Sequence, residues 1–99
     1  MDRQQAIGIA ETYARHVKDV INPSDVMLYG SHAKDGAGTD SDIDIAVIVN
    51  NFTGDYWKTI LWLHELTISV DTRIEPVLLD NNNDPSGFIK QIKRGGIII

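Results

Sequence analysis

The stretch LYGSHAKDGAGTDSDIDIAVIV, residues 28–49, decides the fold of this chain. A short apolar run ends at Gly30-Ser31, a polar and glycine-rich segment follows, and a β-branched run begins after two aspartates. This pattern predicts a strand, a turn, a loop and a second strand over residues 43–49. Side chains two residues apart on a strand share a face, so Asp42 and Asp44 should project together at the start of the second strand.

The aspartate pair permits two interpretations. Neighbouring carboxylates raise each other's pKa unless a positive charge lies between them. Mg²⁺ would meet that need, because proteins usually hold it with one or two carboxylates, together with water and substrate phosphates. The alternative is a simple turn, since aspartate and serine are also good turn residues.

Gly30 and Ser31 strengthen the first interpretation. A glycine after a strand lets the backbone approach a ligand closely, and a serine at the start of a helical turn offers both a hydroxyl and an N–H group to phosphate. Lys34 could also approach a phosphate, although a loop lysine is more often only solvated. His32 could line the same pocket or transfer a proton, but a position on the polar surface is the favoured interpretation.

Gly30-Ser31, ten intervening residues and then Asp42-Ile43-Asp44 resemble the signature of the DNA polymerase beta-like nucleotidyltransferase superfamily. At 99 residues the chain looks most like the minimal nucleotidyltransferases (MNT proteins), which act as antitoxins to HEPN-domain partners. The resemblance implies one nucleotidyltransferase domain over residues 1–99. It also implies an α/β (α+β) fold, a small mixed β-sheet with helices packed on one face.

The same resemblance implies an activity and its machinery. AMP would pass from ATP to an acceptor hydroxyl, with a tyrosine of a HEPN toxin as the acceptor. Asp42 and Asp44 would bind two Mg²⁺ ions (Mn²⁺ being possible) together with a third carboxylate, while Gly30 and Ser31 would hold the β- and γ-phosphates. The family commonly has a basic residue followed directly by glycine where Lys34 stands, and here Asp35 intervenes.

The third carboxylate has two candidates on one face of the next predicted strand. Glu75 lies inside an apolar run, where a charge is costly unless it serves a function. Asp71 is closer to the preceding helix and suits a turn. Glu75 is favoured because it precedes Val77-Leu78-Leu79 as the resemblance implies, although the family more often has aspartate there. Pro76 removes a ladder donor and predicts an edge strand or a bulge.

Two other functions stay open at this stage. The chain could neutralise a partner by contact alone, as a non-catalytic antitoxin, or it could modify a small-molecule acceptor. The intact Gly-Ser pair and three available carboxylates, Asp42, Asp44 and Glu75 or Asp71, argue against a site that has decayed.

Composition limits the remaining classes. The net charge is −5 and the pI is near 4.9, which argues against broad nucleic-acid binding. Without cysteine the chain has no disulfide framework and no thiolate metal site. It shows no apolar run long enough to span a membrane, so a cytoplasmic protein is expected.

The remaining elements follow from periodicity. Amphipathic helices are predicted over residues 3–21, with Asp2 as N-cap and Tyr13 in the core, over 55–69, and from Pro85, with Asp84 as N-cap, to about residue 94. On the middle helix the predicted apolar face consists of Trp57, Ile60, Leu61, His64, Leu66 and Ile68, with Trp62 and Leu63 partly outside it. That aromatic helix, or a strand formed by the three terminal isoleucines, could mediate homo-oligomerisation.

Overall fold

The computed structural model describes residues 2–33 and 42–99. Its elements are α1 (Arg3–Val20), β1 (Asp25–Tyr29), a 3-10 turn (Gly30–Ala33), β2 (Ile43–Val49), α2 (Tyr56–Val70), β3 (Ile74–Asp80), α3 (Phe88–Gly95) and β4 (Ile97–Ile98). In the described residues, no helix is both apolar and long enough to cross a membrane.

The four strands form one mixed sheet in the order β3-β2-β1-β4. β1 pairs antiparallel with both β2 and β4, whereas β2 and β3 are parallel. β2 is therefore a central strand, as its β-branched composition predicts, and its residues are buried except at Asp44. β3 is an edge strand, which confirms the expectation from Pro76, and two of the three terminal isoleucines, Ile97 and Ile98, do form a strand.

α1 and α2 cover one face of the sheet. Ile43, Ile45, Val47 and Val49 of β2 pack on that face with Tyr13 of α1 and Leu63 of α2. Asp2 caps α1 as predicted, since its carboxylate accepts from the Gln5 backbone N–H and the Gln5 side chain accepts from the Asp2 N–H. Tyr13 lies in the core as predicted and donates its hydroxyl to the Leu63 carbonyl at 2.7 Å.

The fold class is confirmed, with one addition on the opposite face. There α3 packs Ile89 and Ile92 against Met27, Ala46 and Ile48. Asp44 lies on this same side, because it alternates with the residues that face α1 and α2. The predicted start of α3 was three residues too early: Asp84 does not begin the helix, but its carboxylate accepts from the Ile89 N–H after a left-handed Gly87.

The predicted apolar face of α2 was wrong in its orientation. Leu63 and Thr67 are the buried residues of the helix, while Trp57, Leu61 and Ile68 are exposed to solvent. Apolar residues occur all around this helix, so periodicity alone could not decide which of them face the sheet.

Candidate active site

Asp44 lies in the middle of a row of polar side chains across three strands. It pairs with Tyr29 of β1 on one side and with Glu75 of β3 on the other. Residues that pair directly across strands present their side chains on the same face, about 5 Å apart. Tyr29, Asp44 and Glu75 therefore share one face near one end of the sheet, and Asp42 stands just before β2.

Gly30 brings the backbone of the Gly-Ser turn close against Asp44. Its φ angle is +75°, a left-handed conformation that suits glycine. A Cβ atom at this position would overlap Asp44 Oδ2. Gly30 is thus required by both its backbone angle and its neighbour, which gives a structural reason for glycine at the end of β1.

The electrostatics of the row centre on Asp44. Partial burial raises the pKa of its carboxyl, the negative charges of Asp42 and Glu75 raise it further, and His32 opposes them. Burial likewise raises the pKa of the Tyr29 phenol, with Asp44 and Glu75 adding to the effect. Such an excess of negative charge in a partly buried place is relieved by a cation or by a proton.

The donor chemistry of this row suits a hard divalent cation. Carboxylate oxygens are preferred ligands of Mg²⁺, and this ion does not require an all-protein cage because water and phosphate oxygens complete its shell. Among residues 2–33 and 42–99, no three His, Asp or Glu side chains lie close enough to hold one metal ion by themselves. Any ion bound here would therefore need oxygens beyond those of the described side chains, such as those of water or phosphate.

Asp71 is engaged elsewhere. It caps the C-terminal end of α2, and its two carboxylate oxygens accept from the Arg73 guanidinium at 2.7 and 3.0 Å. The hydrogen bonds from Arg73 hold the pKa of the Asp71 carboxyl below its usual range. With its charge already neutralised, Asp71 fits the capping role, and Glu75, paired with Asp44, is the stronger candidate for a third carboxylate.

The other residues of the motif have different positions. Ser31 is exposed in the 3-10 turn, where its hydroxyl is accessible to a ligand. His32 is only 1% exposed, so its predicted place on the polar surface was wrong. It follows two turn residues and packs inward with Ala33, an orientation that no periodic signal in so short a turn could reveal. Lys34 lies outside the described residues.

A groove of about 360 Å³ opens beside Gly30, and sequence reasoning missed it. It is lined by Tyr29, whose ring packs edge-to-face on Phe88, and by Gln91 and Arg94 of α3. Arg94 places a cationic side chain at the border of an otherwise acidic site. The position of Tyr29 directly before Gly30 was a signal in the sequence that could have placed Tyr29 at the site. The contribution of α3 could not be predicted in this way, because it depends on which face of the sheet α3 covers.

A larger groove of about 650 Å³ lies between α1 and the end of α2. Its lining includes Gln5, Thr12, Ser69 and Arg73 but none of the paired carboxylates. The paired carboxylates therefore lie on the α3 side of the sheet, away from this larger groove.

Comparisons with known proteins agree with this fold. Residues 10–99 match the family model described as "Polymerase beta, Nucleotidyltransferase". No curated protein sequence matches the chain.

Solved structures share the fold at low sequence identity. A presumed nucleotidyltransferase from Sulfolobus solfataricus is 16% identical, with 97% of this chain and 80% of that one covered and a TM-score of 0.68. A mutant of the toxin–antitoxin MntA-HpeT is 24% identical (90% and 69% covered, TM-score 0.65). A toxin–antitoxin with AMP-PNP is 21% identical (99% and 72% covered, TM-score 0.62).

Proposed function

The chain belongs to the polymerase beta nucleotidyltransferase family, and we propose that it transfers AMP from ATP to an acceptor hydroxyl. The observation that carries this proposal is the row of carboxylates at the start of β2 and β3, directly beside the Gly30-Ser31 turn. Negative side chains facing a turn with accessible backbone and hydroxyl donors suit a metal-bound triphosphate.

In this proposal Asp42 and Asp44 hold Mg²⁺, with Glu75 as the third carboxylate. Mn²⁺ has the same preference for oxygen ligands and is the alternative ion. When bound, the metal supplies charge neutralisation at the phosphates and lowers the pKa of a coordinated hydroxyl. The raised pKa of Asp44 supports this assignment, because an added positive charge removes the repulsion from Asp42 and Glu75.

The chain's own groups then position the substrate. Gly30 and Ser31 hold the β- and γ-phosphates, Ser31 through its exposed hydroxyl, and Lys34 is an additional phosphate ligand in this proposal. The acceptor oxygen forms a bond to the α-phosphorus as the bond to pyrophosphate breaks, and the acceptor proton passes to Glu75. Such transfers depend mainly on alignment and charge neutralisation.

We further propose that the acceptor is a tyrosine of a HEPN-domain toxin and that the chain is its antitoxin. Support comes from the shared fold of the MntA-HpeT structures and from the AMP-PNP found with one such pair. A protein acceptor also suits the face of the sheet that carries the carboxylates, because of the three helices only α3 packs on that face.

The test combines co-purification with mass measurement. The protein encoded by the neighbouring gene is co-expressed either with the wild-type chain or with the Asp42→Asn/Asp44→Asn variant. Its intact mass is then measured by mass spectrometry in both cases. We expect one or more added AMP masses that disappear in the variant. A complex that forms with no added mass in either case would instead indicate an antitoxin that acts by contact alone.

A further inference from the structure

The outer surface of α2 carries an apolar stripe that no described part of the chain covers. Trp57, Leu61 and Ile68 are 76%, 59% and 76% exposed. With His64 they follow a spacing of four, three and four residues, which places them in one line along the helix. Single exposed apolar residues are common, but a continuous line of them on a small domain marks a contact surface.

The stripe lies on a different side of α2 from the buried residues. Leu63 and Thr67, which face the sheet, are about 100° around the helix from the stripe, so the packing of the described residues leaves the stripe uncovered. Alternating steps of four and three residues are the pattern by which one helix packs along another. The natural occupant is therefore a second helix lying along α2.

We propose that this second helix is α2 of another copy of the chain, packed antiparallel about a two-fold axis. If the axis passes between Leu61 and His64, Trp57 lies level with Ile68 of the second copy and Leu61 lies level with its His64. The indole of Trp57 in each copy thus packs against Ile68 of the other copy. The same contact occurs twice, which makes the surface self-complementary.

Charge placement favours the antiparallel copy. Lys58 and Glu65 flank the stripe on the same side, and both are exposed. Within one helix they are about 10 Å apart along the axis, too far to pair. In the antiparallel arrangement, Lys58 of one copy and Glu65 of the other differ in height along the helix axis by only about 3 Å. The two-fold symmetry repeats this contact, which gives two reciprocal ion pairs.

Neither Lys58 nor Glu65 forms an ion pair with another described residue. The ion pairs found within residues 2–33 and 42–99 are Arg73–Asp71 and Lys93–Asp25. Lys58 and Glu65 are therefore available to an intermolecular partner. One helix face is smaller than a standard interface of about 1,600 Å² in total, so we expect a micromolar dimer.

Sedimentation velocity on the full chain, over a concentration series in the micromolar range, tests the proposal. We expect a monomer–dimer equilibrium in the wild type and a monomer in Leu61→Glu. Val20→Glu is the matched control, because Val20 is 69% exposed but lies on α1. This control should dimerise like the wild type.

A charge-reversal series tests the geometry itself. Lys58→Glu places two glutamates together and should weaken the dimer about tenfold. The substitution does not harm the helix, because an acidic residue in the first turn of α2 suits the helix dipole. Lys58→Glu/Glu65→Lys should restore the wild-type dimer, since the two pairs reform with reversed sign.

Three outcomes would overturn the proposal: a wild type that stays monomeric throughout the series, a double reversal that does not recover, or an equal loss in Val20→Glu. The stripe would instead be assigned to a partner protein if the wild type is monomeric by itself and a protein that co-purifies with it no longer does so with Leu61→Glu. Because these readouts need no nucleotide, they are independent of the proposed transfer reaction.

Discussion

Gly30 determines how closely the end of β1 approaches Asp44. Gly30→Ala introduces a Cβ that overlaps Asp44 Oδ2 in a left-handed conformation. We expect a loss of about 2–4 kcal/mol in unfolding free energy, since strain and overlap add, together with loss of nucleotide binding. Urea unfolding and calorimetry measure the two effects.

Gly87→Ala is the control for this substitution. Its φ of +74° nearly equals that of Gly30, but a Cβ there meets nothing within 4 Å. We therefore expect only the backbone cost of about 1–2 kcal/mol and unchanged nucleotide binding. Equal losses in both variants would mean that contact with Asp44 does not explain glycine at position 30.

Asp44 should make stability depend on pH in a defined direction. Because its pKa is raised in the folded chain, folding is favoured when this carboxyl is protonated, and that contribution is lost as the pH rises from about 3.9 through the raised value. We expect Asp44→Asn to be more stable than the wild type at neutral pH in EDTA.

The difference between Asp44→Asn and the wild type should narrow as the pH falls below this range. Urea unfolding at a series of pH values measures it. Added Mg²⁺ should stabilise the wild type alone. A variant that is less stable than the wild type at neutral pH in EDTA would contradict the account.

Glu75 and Asp71 can be separated by matched substitutions. Glu75→Gln should reduce AMP transfer by about a hundredfold or more, since it removes the proposed proton acceptor and a metal ligand. Asp71→Asn should leave the transfer rate nearly unchanged, because Asp71 is bound to Arg73. The opposite pattern in single-turnover assays would identify Asp71 as the functional carboxylate.

At the level of elements, one buried hydrogen bond joins α1 to α2. Tyr13→Phe leaves the Leu63 carbonyl without the hydroxyl that donates to it, and should cost about 1–2 kcal/mol in unfolding free energy. Tyr56→Phe is the comparison, because the Tyr56 hydroxyl donates to the Leu78 carbonyl at a partly buried place. We expect a smaller loss there in urea unfolding.

The sequence correctly predicted those elements whose local residue pattern is compatible with only one secondary structure. β2 was predicted over residues 43–49 and has those bounds, because a β-branched run after polar turn residues has few alternatives. α1 was predicted with its cap and its buried tyrosine. β3 was predicted as an edge strand, since Pro76 cannot donate to a ladder on both sides.

Other features depend on tertiary contacts and could not be predicted. α2 is apolar around most of its circumference, so only packing against the sheet selects Leu63 over Leu61. α3 begins at Phe88 rather than at Pro85, because Gly87 takes a left-handed backbone angle and becomes the N-cap in place of Asp84. The side covered by α3, and hence the groove with Tyr29 and Arg94, follows from how the chain crosses the sheet.

For the whole molecule, the proposed nucleotide site and the proposed dimer surface lie on opposite sides of the sheet. The carboxylates and Gly30 lie on the α3 side, whereas the stripe of Trp57, Leu61 and Ile68 lies on the outside of α2. We therefore expect Leu61→Glu to abolish dimerisation while it leaves Mg²⁺-dependent ATP binding within about twofold of wild type. A coupled loss of both properties, in a variant with wild-type circular dichroism, would contradict this separation.

The central claim is that the paired carboxylates form a metal-triphosphate site. Calorimetric titration of ATP in the presence of Mg²⁺ tests it most directly, with the wild type and Asp42→Asn/Asp44→Asn measured in parallel. We predict binding by the wild type that requires Mg²⁺ and is absent in the double variant. Equal binding by both proteins, or no binding by the wild type even with its partner present, would contradict the claim.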